Sequence, residues 1–201
     1  MRRLGELGDL AFESVTEPAK VRARFEELLI LEAAGWKGKK HTALVSSDKT
    51  MSFAKDLVRA RAEAGAVRID SLRLDRRPIA MVVTFTLGAT AWTWKIAYAE
   101  EFARFSPGAQ LMLEMPKHVF ADGRIEQIDS LAVADHPMID HLWPDRISIG
   151  TLVVSPSGGS YLHRLGLAGF KAETAARSFV HGLRARASAH RKHPNDRENQ
   201  T

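Results

Sequence analysis

The stretch "VRIDSLRLDRRPIAMVVTFTLGATAWTWKIAY", residues 67–98, decides the fold. Residues 67–74 alternate strictly between apolar and polar, and "DRRP" after them supplies a turn. Residues 79–88 are an apolar, β-branched run closed by Gly88, and 90–98 alternate again. Period-2 patterning broken by short turn signals predicts an antiparallel meander of three strands.

Helical periodicity flanks this meander. Upstream, 8–15 reads as a strand, and Glu17-Pro18 opens a helix with proline in its first turn. Val21, Phe25, Leu28, Leu29 and then Glu32 recur at helical spacing until Gly35 and Gly38 break the run. Residues 39–49 read as a loop and 50–65 as a second helix, with Thr50 or Asp48 as cap and Gly65 as stop. Downstream, a loop at 99–108 precedes a helix over about 109–121, which Pro116 should kink or divide. Strands are expected at 124–133 and 146–154, with a short helical turn at 136–143 between them. A hinge-like "SPSGGS" at 155–160 leads into an amphipathic helix from Tyr161, and nothing after about residue 188 has apolar surface to bury. The fold class is therefore α+β: helices packed on a mostly antiparallel central sheet, plus a C-terminal amphipathic helix. The expected organisation is a domain over 1–158, a basic helix over 159–187 and a disordered tail over 188–201.

Composition narrows the function classes. The 201 residues include no cysteine, which excludes disulfides, thiolate metal sites and a cysteine nucleophile. The N-terminus shows no secretory pattern and no segment reaches the apolar length of a membrane span, so a cytoplasmic location is expected. The net charge is +5, and residues 160–201, with eight basic against three acidic side chains, account for all of it. This basic appendage suits contact with an anionic membrane surface, a partner, or simply a solvated helix face. Aromatic residues for base stacking are scarce in it, which argues against RNA.

The order of elements resembles the GNAT acyltransferase fold. "WKIAYAEEFARFSPGAQLMLE" (94–114), "LEAAGWKG" (31–38) and "DHPMIDHLWPDRISIGTLVV" (135–154) are similar to the Fem-like acetyltransferase group, which includes cellulose-biosynthesis-associated members. The similarity covers roughly residues 7–155. Many members of that group resemble two units in tandem, and this chain looks like the second alone. A cleft between units would then need another chain, such as a second copy in a homodimer. The resemblance implies acetyl-CoA or another acyl-CoA as co-substrate, no metal, and an amine or hydroxyl acceptor on a small molecule or saccharide precursor. It also suggests, more weakly, aminoacyl transfer from charged tRNA. A non-catalytic binding or assembly module is the alternative.

In GNAT enzymes the pyrophosphate lies on backbone amides between the fourth strand and the next helix, with the signature Gln/Arg-x-x-Gly-x-Gly/Ala. Here the stretch is Arg104-Phe105-Ser106-Pro107-Gly108-Ala109, with proline in place of the first glycine, which removes one donor. Gly108, Ala109 and Gln110 keep amides that a helix N-terminus directs at an anion; otherwise Ser106 merely caps a helix. Arg104 either pairs with a phosphate or sits on the surface. On the preceding strand, Trp92, Trp94, Ile96 and Tyr98 should share one face. Lys95 on the other face is either a cleft lysine, suited to the acyl carbonyl or a substrate anion, or a snorkelling side chain. Tyr98 is a candidate acid for the departing thiolate or a core tyrosine. Asp129 is a candidate base, or an ion-pair partner of Lys95 across the strands. Glu32 is a second base candidate, or a solvated helix-end carboxylate. His136, Asp140 and His141 lack the spacing of a metal site.

Overall fold

The computed structural model describes residues 2–121, 123–133, 135–150, 152, 165–166 and 168–170. The chain divides into two compact units, Met1–Asp145 and Arg146–Thr201. The first unit holds every element treated below. Strands β1 (Leu10–Val15), β2 (Val67–Leu74), β3 (Arg77–Leu87), β4 (Thr90–Tyr98) and β5 (Gln127–Asp129) form one sheet in chain order. The first four pair antiparallel and β5 joins β4 in parallel. The architecture is the α+β fold expected, with one parallel strand added.

Helices α1 (Arg2–Gly5), α2 (Pro18–Ala34), α3 (Trp36–Lys39), α4 (Asp48–Glu63), α5 (Pro107–Val119) and α6 (Ile139–Leu142) surround the sheet. Val21, Phe25, Leu28 and Leu29 of α2 and Val58 and Ala62 of α4 cover one face, against Ile69, Met81 and Val83. Leu111, Met112, Met115 and Val119 of α5 cover the other, against Leu72, Ile79, Val82 and Ala91. Burial of these two apolar layers is what drives the sandwich together. Hairpin β2–β3 turns on Asp75 and Arg76, both at positive φ, as a two-residue turn of matching twist requires. Charged contacts reinforce the α2 side: Arg24 of α2 reaches Glu13 of β1 at 2.7 Å, and Arg73 of β2 reaches Glu27 at 2.8 Å.

Several local expectations change. Helix α5 starts at Pro107 and runs past Pro116 without dividing. Thr93 pairs with Thr84 while Lys95 pairs with Val83, so Trp94 is an extra residue, a β-bulge in β4. The bulge breaks the alternation that would have put Trp94 with Ile96 and Tyr98. Trp94 instead packs on Phe25 and Phe85 under α2, while Ile96 and Tyr98 pack toward α5. The strand expected over 124–133 shrinks to three residues because β5 pairs only with Thr90–Trp92. Residues 146–150 and 152 form no strand. Most of the expected C-terminal helix (159–187) and the whole tail (188–201) lie outside the described residues; within the helix, 165–166 and 168–170 are helical.

Candidate active site

Parallel pairing of β5 stops at Trp92, so among the described residues no strand pairs with the β5-side edge of β4 beyond the bulge. Two cavities open along that edge. The first, about 610 Å³, lies among the C-terminal end of α2, the last residues of β4, the start of α5, and His136–Met138. The second, about 280 Å³, lies among the middle of β4, the 130–133 segment and Ile139. Lys37, Ile96, His136 and Met138 line both.

The start of α5 supplies the first cavity's polar character. Ser106 takes a left-handed backbone (φ 50, ψ 53), a costly conformation for a residue with a side chain. Its N–H donates to the Ala103 carbonyl and its own carbonyl accepts from Gln110, but its hydroxyl does not cap the helix. Among the described residues the N–H groups of Gly108 and Ala109 donate to no backbone or side-chain acceptor. Both residues line the cavity, so two amides at the positive end of a helix face its interior. A Cβ on Gly108 would lie 3.6 Å from Ile96 and Tyr98, filling space between the amides and the β4 edge.

Glu32 and Lys37 form the opposite wall. Glu32 is 3% exposed. One of its oxygens accepts from the Leu44 N–H at 2.8 Å and the other from Lys37 Nζ at 3.2 Å. Lys37 Nζ also donates to the Ile96 carbonyl at 3.0 Å, which ties α3 to the unpaired edge of β4. Gly38 makes this approach feasible: a Cβ there would fall 1.8 Å from the Ala33 carbonyl oxygen. His136 Nδ1 accepts from the Met138 and Ile139 amides at 3.3 and 3.2 Å, so the neutral ring carries its proton on Nε2.

The first cavity thus brings together Glu32, Tyr98, Ser106, Gly108 and Ala109. Lys95 lines the second cavity. Its Nζ stands 5.7 Å from the Trp94 ring centroid and, among the described residues, has no carboxylate within ion-pair distance. The Asp129–Lys95 pair does not form. Asp129 sits opposite Trp92 and uses its Oδ1 to accept the Leu131 N–H at 2.7 Å, and it lines neither cavity. Arg104 is exposed, with its guanidinium 4.6 Å from the Phe105 ring. Gln110 spends its N–H on Ser106 and its side-chain amide on the Phe105 carbonyl at 2.6 Å. Neither Arg104 nor Gln110 lines a cavity. Lys37 and His136 were not singled out for this site by sequence. The close glycines around "GWKG" are the signal that a backbone approach there has a purpose.

Residues 1–136 match the family described as "Acetyltransferase (GNAT) domain". The chain belongs to the GNAT acetyltransferase family. No curated protein matches this GNAT chain in sequence. Among solved structures it is similar to the aminoglycoside acetyltransferase meta-AAC0020 from an uncultured soil metagenomic sample, in complex with sisomicin (TM-score 0.50, 13% identity, 75% of this chain and 96% of that one). A possible acetyltransferase from Clostridium difficile 630 is similar too (TM-score 0.50, 11% identity, 73% and 99%). So is AAC(6')-Iy in complex with the bisubstrate analog CoA-S-monomethyl-acetylneamine (TM-score 0.50, 8% identity, 75% and 100%). At these identities the likeness establishes the GNAT fold.

Proposed function

We propose that this GNAT domain transfers an acyl group, of acetyl type, from acyl-CoA to an amine or hydroxyl on a small molecule, a sugar or polysaccharide precursor being the leading class. The observation that carries the reading is the pair of unspent amides, Gly108 and Ala109, opening on a 610 Å³ cavity beside an unpaired strand edge. These amides would hold the pyrophosphate, with Ser106 Oγ beside them. The Ile96 carbonyl points away from β3, and strand alternation gives the Tyr98 N–H the same direction. That edge would align the donor's extended arm and polarise its thioester carbonyl. Held next to it, the acceptor nitrogen or oxygen attacks the carbonyl carbon, the new C–N or C–O bond forms, and the C–S bond breaks. Proximity supplies much of the rate. The Tyr98 hydroxyl would return a proton to the leaving thiolate. Glu32, which lines the first cavity and keeps lone pairs beyond its two bonds, would take the proton from the acceptor. Asp129, committed to the Leu131 turn, would act as a positioning residue for the second cavity's wall.

Isothermal titration with acetyl-CoA tests the reading: saturable binding by the folded protein is expected, and no heat sinks it. The Fem-like subgroup and the cytoplasmic location belong to the same proposal. Two observations favour a second reading, a non-catalytic CoA-binding or assembly module: Pro107 takes one amide out of the cradle, and Glu32 is held by two donors. CoA binding without turnover of any acceptor, by a protein of defined mass in light scattering, would select it.

A further inference from the structure

The acyl carbon must lie where donor and acceptor both reach it. The two cavities share a wall at Lys37, Ile96 and His136. With the donor's phosphates on Gly108 and Ala109, the donor takes the first cavity and the acceptor enters through the second, its nucleophile reaching Glu32 past the shared wall at Lys37. The character of that second cavity is then the specificity of the enzyme. Among the described residues no carboxylate lines it. Its polar groups are two ammonium side chains, Lys37 and Lys95, with His136, Thr93 and Ser130. Thr93 Oγ1 is spent on the Ser130 carbonyl at 3.0 Å. Lys37 is neutralised by Glu32 behind it. Lys95 is half-buried, and among the described residues it is met by the Trp94 ring, at 5.7 Å, and by no carboxylate. A half-buried ammonium without a counter-ion is unfavourable, and an aromatic face offsets only part of that cost.

We infer that the acceptor is an anion: a small hydroxyl- or amine-bearing molecule whose carboxylate or phosphate pairs with Lys95 in the second cavity. The inference rests on the acyltransferase reading and adds to it the charge of the substrate. It runs against a polycationic acceptor, which these lysines would repel. The volume, about 280 Å³, is at the small end of ligand sites, so a monosaccharide-sized acceptor or the reactive end of a longer one enters. Exposed Leu131 and Val133 at its mouth give such a molecule an apolar rim.

The experiment is calorimetric titration of the protein first saturated with CoA, so that the α5 amides are occupied. Glucose, glucose 6-phosphate, glucuronate and sisomicin are the ligands, with Lys95→Met as the variant and a thermal melt as its check of folding. The expected result is that glucose 6-phosphate or glucuronate binds at least about tenfold more tightly than glucose, and that Lys95→Met abolishes the difference. The order of the phosphate and the carboxylate says which anion the site takes. If CoA itself fails to bind, the acyltransferase reading falls. If CoA binds but the anionic sugars show no advantage, bind not at all, or are outdone by sisomicin, the inference is overturned while the transferase stands. An anion preference that survives in a folded Lys95→Met protein overturns it as well.

Discussion

The proposed activity rests on single residues at the start of α5 and the end of α2. Gly108 is at once a free amide and an absence of side chain between that amide and β4. Because a Cβ there meets only ordinary contacts at 3.6 Å, Gly108→Ala should melt within a few degrees of the parent. It should still weaken acetyl-CoA binding by about 1.4 kcal/mol, a tenfold rise in Kd by calorimetry. An unchanged Kd would move the donor site elsewhere. Glu32→Gln keeps an acceptor for the Leu44 amide and removes the negative charge. With Glu32 as the base, kcat falls by about two orders of magnitude or more while CoA affinity and the thermal melt hold. Loss of stability with kcat retained would make Glu32 a structural pin. Much of this residue set was legible: Glu32, Tyr98, Ser106, Gly108 and Ala109 all line one cavity. Arg104, Gln110 and Asp129 were legible only as neighbours of it in the chain. Which way a side chain points at a helix start, or after a strand three residues long, is set by tertiary packing and not by spacing.

At the scale of elements, the meander could be read almost residue by residue, since 67–74 and 90–98 are the strands observed. The polar alternates of 67–74 are accommodated by ion pairs, Arg68 with Asp70 at 2.8 Å and Arg73 with Glu27 at 2.8 Å. The bulge at Trp94 could not be read, because an extra residue is defined by the partner strand's register and not by its own sequence. Lys37 was missed for a similar reason: its contact with Ile96 joins residues 59 apart. That contact depends on α3 lying tight against α2 at Gly38. Gly38→Ala forces α3 away from the Ala33 carbonyl, with an expected loss of about 1–3 kcal/mol in thermal or urea unfolding and weaker CoA binding. A melt equal to the parent's would contradict the packing described. The α2–sheet contact also carries a pH signature. Arg24, hydrogen-bonded to Glu13, holds that carboxyl below its usual range. A depressed carboxylate contributes stability above its unfolded pKa that is lost as pH falls through the folded one. Glu13→Gln should therefore cost about 0.5–1 kcal/mol at pH 7 and flatten the decline in stability toward acid pH, measured by urea unfolding across that range. A decline as steep as the parent's would assign it to other groups.

In the first unit, two helical layers cover a meander whose β4 edge has no strand partner beyond Trp92 among the described residues, and the GNAT family places this chain among acetyltransferase domains. The fold class was legible from patterning, and the GNAT resemblance from the order of elements. The acceptor was not legible, since it is set by which side chains converge on the second cavity from β4 and the 130–139 region. The proposed function depends on the Gly108 and Ala109 amides receiving the donor's phosphates. A crystal structure of the acetyl-CoA complex tests that most directly. The account predicts pyrophosphate oxygens within hydrogen-bond distance of both amides and the thioester beside Ile96. Acetyl-CoA bound at another surface, with those two amides turned to solvent, would contradict it.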